Sequence, residues 1–357
     1  MKEECNSSLP ISAQVAAWLR DIEQHQRDVL SEWHRHEATW AVSLPELLGV
    51  VQVPGKRIRP RLFLLILGLC GGGYGAAARD VAAALELYHG VTLMYDDIQD
   101  NAQTRRGEPA HYTTYGVSAT MSLCVILERQ VNRMLLESSA LERPVCLELI
   151  RRLNEMHLEM GVGQMAETAW VRDGVLDIAG DLYWRMVASK TGALFAFAAE
   201  TGAFLAGLPE AHQAQFRRFG QRLGVLFQVV DDFADIFLPD TDGKPRRQDL
   251  REAKRTLFLL EARRVLPEAE RAELDRLFLE ARRTEADVAW LAARVATSGI
   301  RAEGERVIQR QAADVRAELE RLVGLVIGEA SANERNQRGQ FAIALRELVM
   351  DVCRGNG

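Results

Sequence analysis

Residues 86–106 read ELYHGVTLMYDDIQDNAQTRR, and the rest of the chain is organised around them. Asp96 and Asp100 stand four residues apart, so on a helix both carboxylates project from one face, with Asp97 beside them. Such an oxygen-rich edge repels itself unless a cation sits on it. Arg105 and Arg106 follow within about one and a half turns. Carboxylates that gather hard cations next to guanidinium forks suit a substrate charged through phosphate. Mg2+ bridges oxygen to oxygen, and Arg pairs with phosphate in bidentate fashion. Taken alone, the stretch would serve equally as a solvated helix end.

A second, independent copy of the pattern decides between these readings. Residues 228–235 read QVVDDFAD, which puts Gln228, Asp231, Asp232 and Asp235 at i, i+3, i+4 and i+7, a single helical stripe. The stripe follows the apolar run GVLFQVV, and carboxylates rarely enter so apolar a wall unless they are paired or metal-bound.

Composition sets the frame. A net charge of −6 argues against nucleic acid as a partner, and the many arginines form no single basic block. With 48% hydrophobic residues, the 357-residue chain can fill a large core. The five cysteines, Cys5, Cys70, Cys124, Cys146 and Cys353, are widely spaced without a CxxC pair. They read as reduced thiols of a cytoplasmic protein, not as a disulfide framework or zinc site. The polar N-terminus has no apolar signal region, and no stretch reaches the length of an uncharged membrane span.

Along the chain, Ile11, Val15, Trp18, Leu19 and Ile22 predict an amphipathic helix over about residues 11–40, preceded by a disordered tail at 1–10. In PGKRIRPRLFLLILGLC, Lys56, Arg57, Arg59 and Arg61 crowd the start of a very apolar helix. Such a cluster calls for an anion, unless its stems merely snorkel along apolar surface. Helices are predicted over about 82–100, 112–137, 144–171, 176–206 and 211–238, the fourth carrying Ser189, Lys190 and Thr191 among apolar neighbours. Lys190 there needs phosphate or aspartate to meet its charge. PDTDGKPRRQDLREAKRT reads as a polar surface loop that closes over a site, with Lys244 and Lys254 reaching inward. Helix follows helix beyond it, with a capping box at Thr284–Asp287. No run alternates at strand length, so the expectation is an all-α single domain over 1–357.

The ordered set GKRIRP (55–60), DDIQD followed by RRG (96–107), GQ (163–164), KT (190–191), QVVDDFAD (228–235) and GKPRRQDLREAKRT (243–256) resembles the trans-isoprenyl diphosphate synthases, or polyprenyl synthetases. The resemblance implies a bundle of ten or more helices around a central cavity, the isoprenoid synthase fold, in a homodimer. It implies that an allylic diphosphate (dimethylallyl, geranyl or farnesyl) ionises, that isopentenyl diphosphate attacks it, and that loss of a proton leaves a chain five carbons longer. Asp96, Asp97, Asp100, Asp231, Asp232 and Asp235 would hold Mg2+, roughly three ions per site with Mn2+ as an alternative. Arg105, Lys190, Lys254 and Lys244 would contact the allylic diphosphate. Lys56, Arg59, His89 and Arg106 would hold isopentenyl diphosphate. Thr191 and Gln228 match positions beside the developing carbocation.

The chain departs from the family pattern in YGVSATMSLCVILERQ, which lacks a Gly-Asp pair, in Tyr95 where His is common, and in Ala253 where glycine is usual. The competing readings are a relative that prenylates an aromatic acceptor, a class I terpene cyclase and a non-catalytic partner subunit. The basic patch argues against the first, and the two intact aspartate clusters argue against the others. Val91, five residues before Asp96, and Thr92 are expected to meet the growing tail. Ser118 and Ser122 would continue its path, and Tyr88 would form a floor, which favours geranylgeranyl diphosphate (C20) as product.

Overall fold

Ile11, Val15, Ile22 and Leu30 do recur on the buried side of the first helix, Ile11–Trp33, in the computed structural model of the chain. The structure describes residues 9–52, 55–239, 246–280, 282–297, 299–328 and 330–355. Of the tail expected to be disordered, residues 1–8 lie outside these, and Pro10 already caps the first helix. Apart from one hairpin of two-residue strands, the regular structure among the described residues is helical, as expected for an all-α fold. Two compact units make it up. One lies within Met1–Asn154, Phe197–Arg217 and Glu320–Leu348, the other within Glu155–Ala196, Arg218–Leu319 and Val349–Gly357.

In the first unit the opening helix runs on as a π-helical turn, His34–Ala38, to nearly the length its periodicity predicts. The His34 ring bonds the Val42 carbonyl at 2.7 Å, ahead of the helix Leu44–Gln52. Ile11–Trp33 packs on Ala76–Gln99 over the run Ala82–Ala83–Ala84, whose small side chains let the two backbones approach. Buried Gln26 uses that proximity to donate to the Ala83 carbonyl at 2.8 Å. From Leu62 onward the helix Ile58–Leu69 is apolar all round and buried, consistent with a place in the core of this unit. The helix expected over 112–137 is broken at Gly116, whose φ of 86° is open to glycine, into His111–Tyr115 and Val117–Leu136.

The second unit is centred on Leu250, Phe258, Leu259, Leu274, Leu277, Leu291 and Val295. Its predicted capping box forms: Thr284 N–H donates to Asp287 Oδ2 at 2.7 Å, and Asp287 N–H to Thr284 Oγ1 at 3.2 Å. The segment expected as one helix over 176–206 starts at Gly180 and contains a π-helical turn, Ala188–Gly192. That extra residue per turn falls on Lys190 and Thr191, and such insertions recur at functional sites.

Candidate active site

In the first unit the aspartates end the helix Ala76–Gln99, with Asp97 buried and Asp100 at the C-cap. The chain then turns through a hairpin that no alternating pattern announces. Thr104 pairs with Pro109 and Arg105 with Glu108, leaving Arg106 and Gly107 as a two-residue turn with φ of 56° and 86°. Positive φ at both positions is the twist-matched hairpin geometry, and it explains a glycine after the two arginines. The turn carries Arg105 back onto the aspartates. Its Nε donates to Asp97 Oδ1 at 2.7 Å and its Nη2 lies 3.4 Å from Asp96 Oδ2. Burial, with repulsion from Asp96 and Asp100, raises the Asp97 pKa despite this partner.

Around the basic cluster the arginines separate by task. Arg57, in a left-handed conformation (φ 48°), turns away to Glu23 and to the Leu19 carbonyl at 3.0 Å, so it is a structural tie. Lys56 is exposed. Arg59 Nη1 donates to His89 Nε2 at 2.9 Å, which places the His89 proton on Nδ1. Burial, with Arg59, Arg106 and Arg105 nearby, pushes the His89 pKa well below its ordinary value, so the ring is a neutral acceptor that orients Arg59. A side chain at Gly55 would overlap the Arg106 guanidinium.

Glu86, one turn before His89, has no role in the sequence reading. It is the acid facing Arg59, Arg57 and Arg106, yet burial outweighs them and raises its pKa from 4.5 to about 7. A carboxyl that holds its proton more tightly in the folded chain costs stability once ionised. The cost is absent below pH 4.5, where both states are protonated, grows as pH rises, and is complete above about 7. Glu86→Gln should therefore match the natural chain near pH 4.5 and exceed it above pH 7, by on the order of 3 kcal/mol. Tm at the two pH values checks this, and a difference that does not widen with pH would disprove it.

In the second unit Gln228, Asp231, Asp232 and Asp235 share the helix Glu210–Phe237, with Asp231 exposed and Asp232 and Asp235 buried. Thr191 Oγ1 donates to Gln228 Oε1 at 2.8 Å and Gln228 Nε2 to Asp232 Oδ1 at 2.7 Å, so the amide is held in one orientation. The Tyr183 hydroxyl lies 3.4 Å from the other Asp232 oxygen. The π-helical turn bearing Lys190 and Thr191 is gripped on both sides by glycine contacts. A Cβ on Gly163 would overlap the Lys190 backbone nitrogen, and one on Gly224 would lie 2.8 Å from Gly192 Cα. Lys190 pairs with Glu167. Lys254 lies 3.0 Å from Glu252 and 3.8 Å from Asp249. Glu167, Tyr183, Lys190, Thr191, Gln228, Asp232 and Lys254 line a cleft of about 340 Å3, its open mouth included, that reaches to Thr256.

Segment 246–256 is tied to the same helix. Asp235 accepts the Asp249 N–H on its carboxylate at 3.1 Å and the Arg247 N–H on its carbonyl at 3.0 Å. Ala253 adopts φ 55°, the left-handed region that costs an L-residue about 1–2 kcal/mol, which explains why glycine is usual there. Lys244 lies outside the described residues. Asp249, Glu167 and Tyr183 escaped the sequence reading. Asp249 stood in plain view in QDL, and Glu167 lies one turn after Gly163.

The donor set fits a hard divalent cation. Asp232 is buried and Asp249 half-buried near it; burial, with repulsion from Asp231 and Glu167 at Asp232 and from Asp232 at Asp249, raises both pKa values although Lys254 opposes it. Among the described residues no three His, Cys, Asp or Glu side chains form a complete metal cage. Mg2+ does not need one, since it is commonly held by one or two carboxylates, waters and substrate phosphates.

One expectation for the tail path is corrected. Ser118 and Ser122 are exposed, Ser122 Oγ donating to the Ser118 carbonyl at 2.9 Å, so neither lines an interior wall. Thr120, Leu123, Cys124 and Leu127 form the buried face of that helix. Val91 and Tyr88 are buried, and Thr92 Oγ1 donates to the His89 carbonyl at 2.8 Å.

A model of the polyprenyl synthetase family matches residues 46–295. The chain belongs to that family. It is 36% identical over 209 residues to a geranylgeranyl diphosphate synthase of Mycobacterium tuberculosis, a match covering 58% of each chain. It is 31% identical over 235 residues to a short chain isoprenyl diphosphate synthase of Methanothermobacter thermautotrophicus, covering 63% of this chain and 68% of that one. Its fold matches the crystal structure of a geranylgeranyl pyrophosphate synthase from Corynebacterium glutamicum, complexed with isoprenyl diphosphate and magnesium. There the TM-score is 0.80 at 20% identity, with 95% of this chain and 98% of that chain covered.

Proposed function

We propose that this polyprenyl synthetase is a Mg2+-dependent prenyltransferase that joins isopentenyl diphosphate to an allylic diphosphate, with geranylgeranyl diphosphate as its main product. The observation that carries the reading is buried Asp232, in one cleft with Lys190 and Lys254, with the carboxylates of Asp231 and Asp249 close enough to repel. Asp96, Asp97, Asp100, Asp231 and Asp232 are proposed as metal ligands, with Asp235 tying the returning segment to them. When bound, the metal stabilises the charge growing on the departing pyrophosphate. Arg105, Lys190 and Lys254 bind that diphosphate. The Thr191–Gln228 pair presents oxygen dipoles, held in one orientation, to the allylic carbon.

The second substrate is assigned to Lys56, Arg59 and Arg106, with neutral His89 orienting Arg59. This cluster supports a charged acceptor over an aromatic one. Arg59→Ala should raise KM for isopentenyl diphosphate ~10- to 100-fold, the value of a charge-assisted contact of about 1.5–3 kcal/mol, and leave KM for the allylic primer unchanged. Equal weakening of both substrates would contradict separate sites.

A homodimer is supported by apolar stripes exposed within each unit: Val117, Met121 and Val125 on one helix, and Leu158, Val162 and Met165 on another. The cytoplasm is supported by thiols that remain free at Cys70, Cys124, Cys146 and Cys353. Among the described residues no helix is long and apolar enough to cross a membrane. The test of the whole reading is incorporation of radiolabelled isopentenyl diphosphate into an acid-labile product by the purified chain with Mg2+. Absence of incorporation with every allylic primer would overturn it.

A further inference from the structure

Gly163 and Glu167 stand four residues apart on the helix Arg143–Arg172, so they share a face. Because Gly163 has no side chain, that face can touch the backbone of Lys190, where a Cβ would overlap the amide nitrogen. One turn further along, Glu167 reaches the Lys190 ammonium, and the two groups pair with only 14% and 18% of their side chains exposed. The contact is therefore built by the backbone, through a glycine and a π-helical turn, and not by two long side chains meeting at a surface.

Glu167 differs from the other acids of the cleft. Asp232 is held by Gln228 and neighbours Tyr183, and Asp249 faces Lys254. Glu167 pairs with Lys190. A half-buried ammonium without an anion is costly, and the same ammonium already neutralised resists a new anion.

We infer that Glu167 is a positioning residue that keeps Lys190 aimed into the cleft and charge-neutral, and that an incoming diphosphate must displace it. The inference rests on the synthase reading for the identity of the anion, and deepens it by assigning Glu167 a place in substrate selection. Weakly charged anions such as inorganic monophosphate fail to displace the carboxylate, whereas diphosphate succeeds by spreading its charge over several donors. No bond is made or broken at Glu167; its carboxylate moves off the ammonium as phosphate oxygen moves on.

Titration calorimetry of inorganic pyrophosphate, with chelator present and no divalent metal, tests this on the full chain. Glu167→Gln keeps the size of the side chain and removes its charge, so pyrophosphate should bind about 10-fold tighter and monophosphate should gain measurable affinity. Lys190→Gln should weaken pyrophosphate, and the double variant should bind like Lys190→Gln alone, because the competition has nothing left to act on. A Glu167→Gln variant that binds pyrophosphate no tighter than the natural chain overturns the inference. So does a gain that persists in the Lys190→Gln background, which would mark a general field effect, and so does the absence of binding in every variant. Melting curves of each variant confirm that the folded protein is being compared, and Glu167→Asp should fall between the natural chain and Glu167→Gln. If the natural chain elongates allylic primers while these titrations fail, only the role of Glu167 falls. If it elongates none, the synthase reading falls whatever the titrations show.

Discussion

Asp97→Ala and Asp231→Ala should each lose at least ~10^3-fold of prenyl transfer at saturating Mg2+, because each removes a proposed ligand of the metal that stabilises departing pyrophosphate, worth several kcal/mol. The two variants probe different structural settings. Asp231 is exposed and contributes little to folding, so its loss should leave Tm unchanged. Asp97 is buried and bonded to Arg105, yet its own desolvation already raises its pKa. Removing it trades a lost pair against a relieved burial cost, while Arg105 retains Asp96 at 3.4 Å. A small change in Tm is therefore expected beside a large one in turnover. Either variant keeping more than a tenth of the natural rate would show that the aspartates are not metal ligands.

The aspartate clusters were legible because their chemistry is periodic. Four-residue spacing puts Asp96 with Asp100 and Asp231 with Asp235 on single faces whatever surrounds them, and the helices bearing both occur where the pattern places them. What the spacing cannot disclose is where a charge is met from another element. Arg57 and Arg59 look equivalent in GKRIRP, and only the fold sends Arg57 to Glu23 and Arg59 to His89. The hairpin at Arg105–Glu108 is too short to alternate, so its one signal was the glycine at 107. The helix break at Gly116 arises from a single residue of positive φ, which does not disturb apolar periodicity. Ser118 and Ser122 failed for the related reason that small residues mark a close approach without saying which side of the helix makes it. Glu167 was hidden by its dependence on Gly163, whose importance lies in a contact with residue 190 and not in its neighbours in the chain.

Product length should be set by the wall beneath the first aspartates. Val91 is fully buried five residues before Asp96, so its side chain is already packed interior and not open surface. Tyr88, one turn earlier on the same helix, is also buried, and burial with Glu128 and Tyr95 near it raises its hydroxyl pKa. Glu128 belongs to the segment that departs from the family pattern, and it hydrogen-bonds Tyr95, the residue standing where His is common. On this proposal Tyr88 closes the apolar path by its bulk and by the polar groups gathered beside it, since a hydrocarbon tail gains nothing by desolvating a carboxylate. Val91→Phe should shift the main product from C20 toward C15, and Tyr88→Ala should lengthen it, because filling or emptying ~100 Å3 of a close-packed wall changes what fits. Mass spectrometry of the products from isopentenyl diphosphate with dimethylallyl, geranyl or farnesyl diphosphate reads both. With Ser118 and Ser122 on the outside, Glu128 is the next residue to test: Glu128→Leu should lengthen the product if its charge helps close the path. A product distribution unmoved by all three substitutions would place the floor elsewhere and remove the argument for C20.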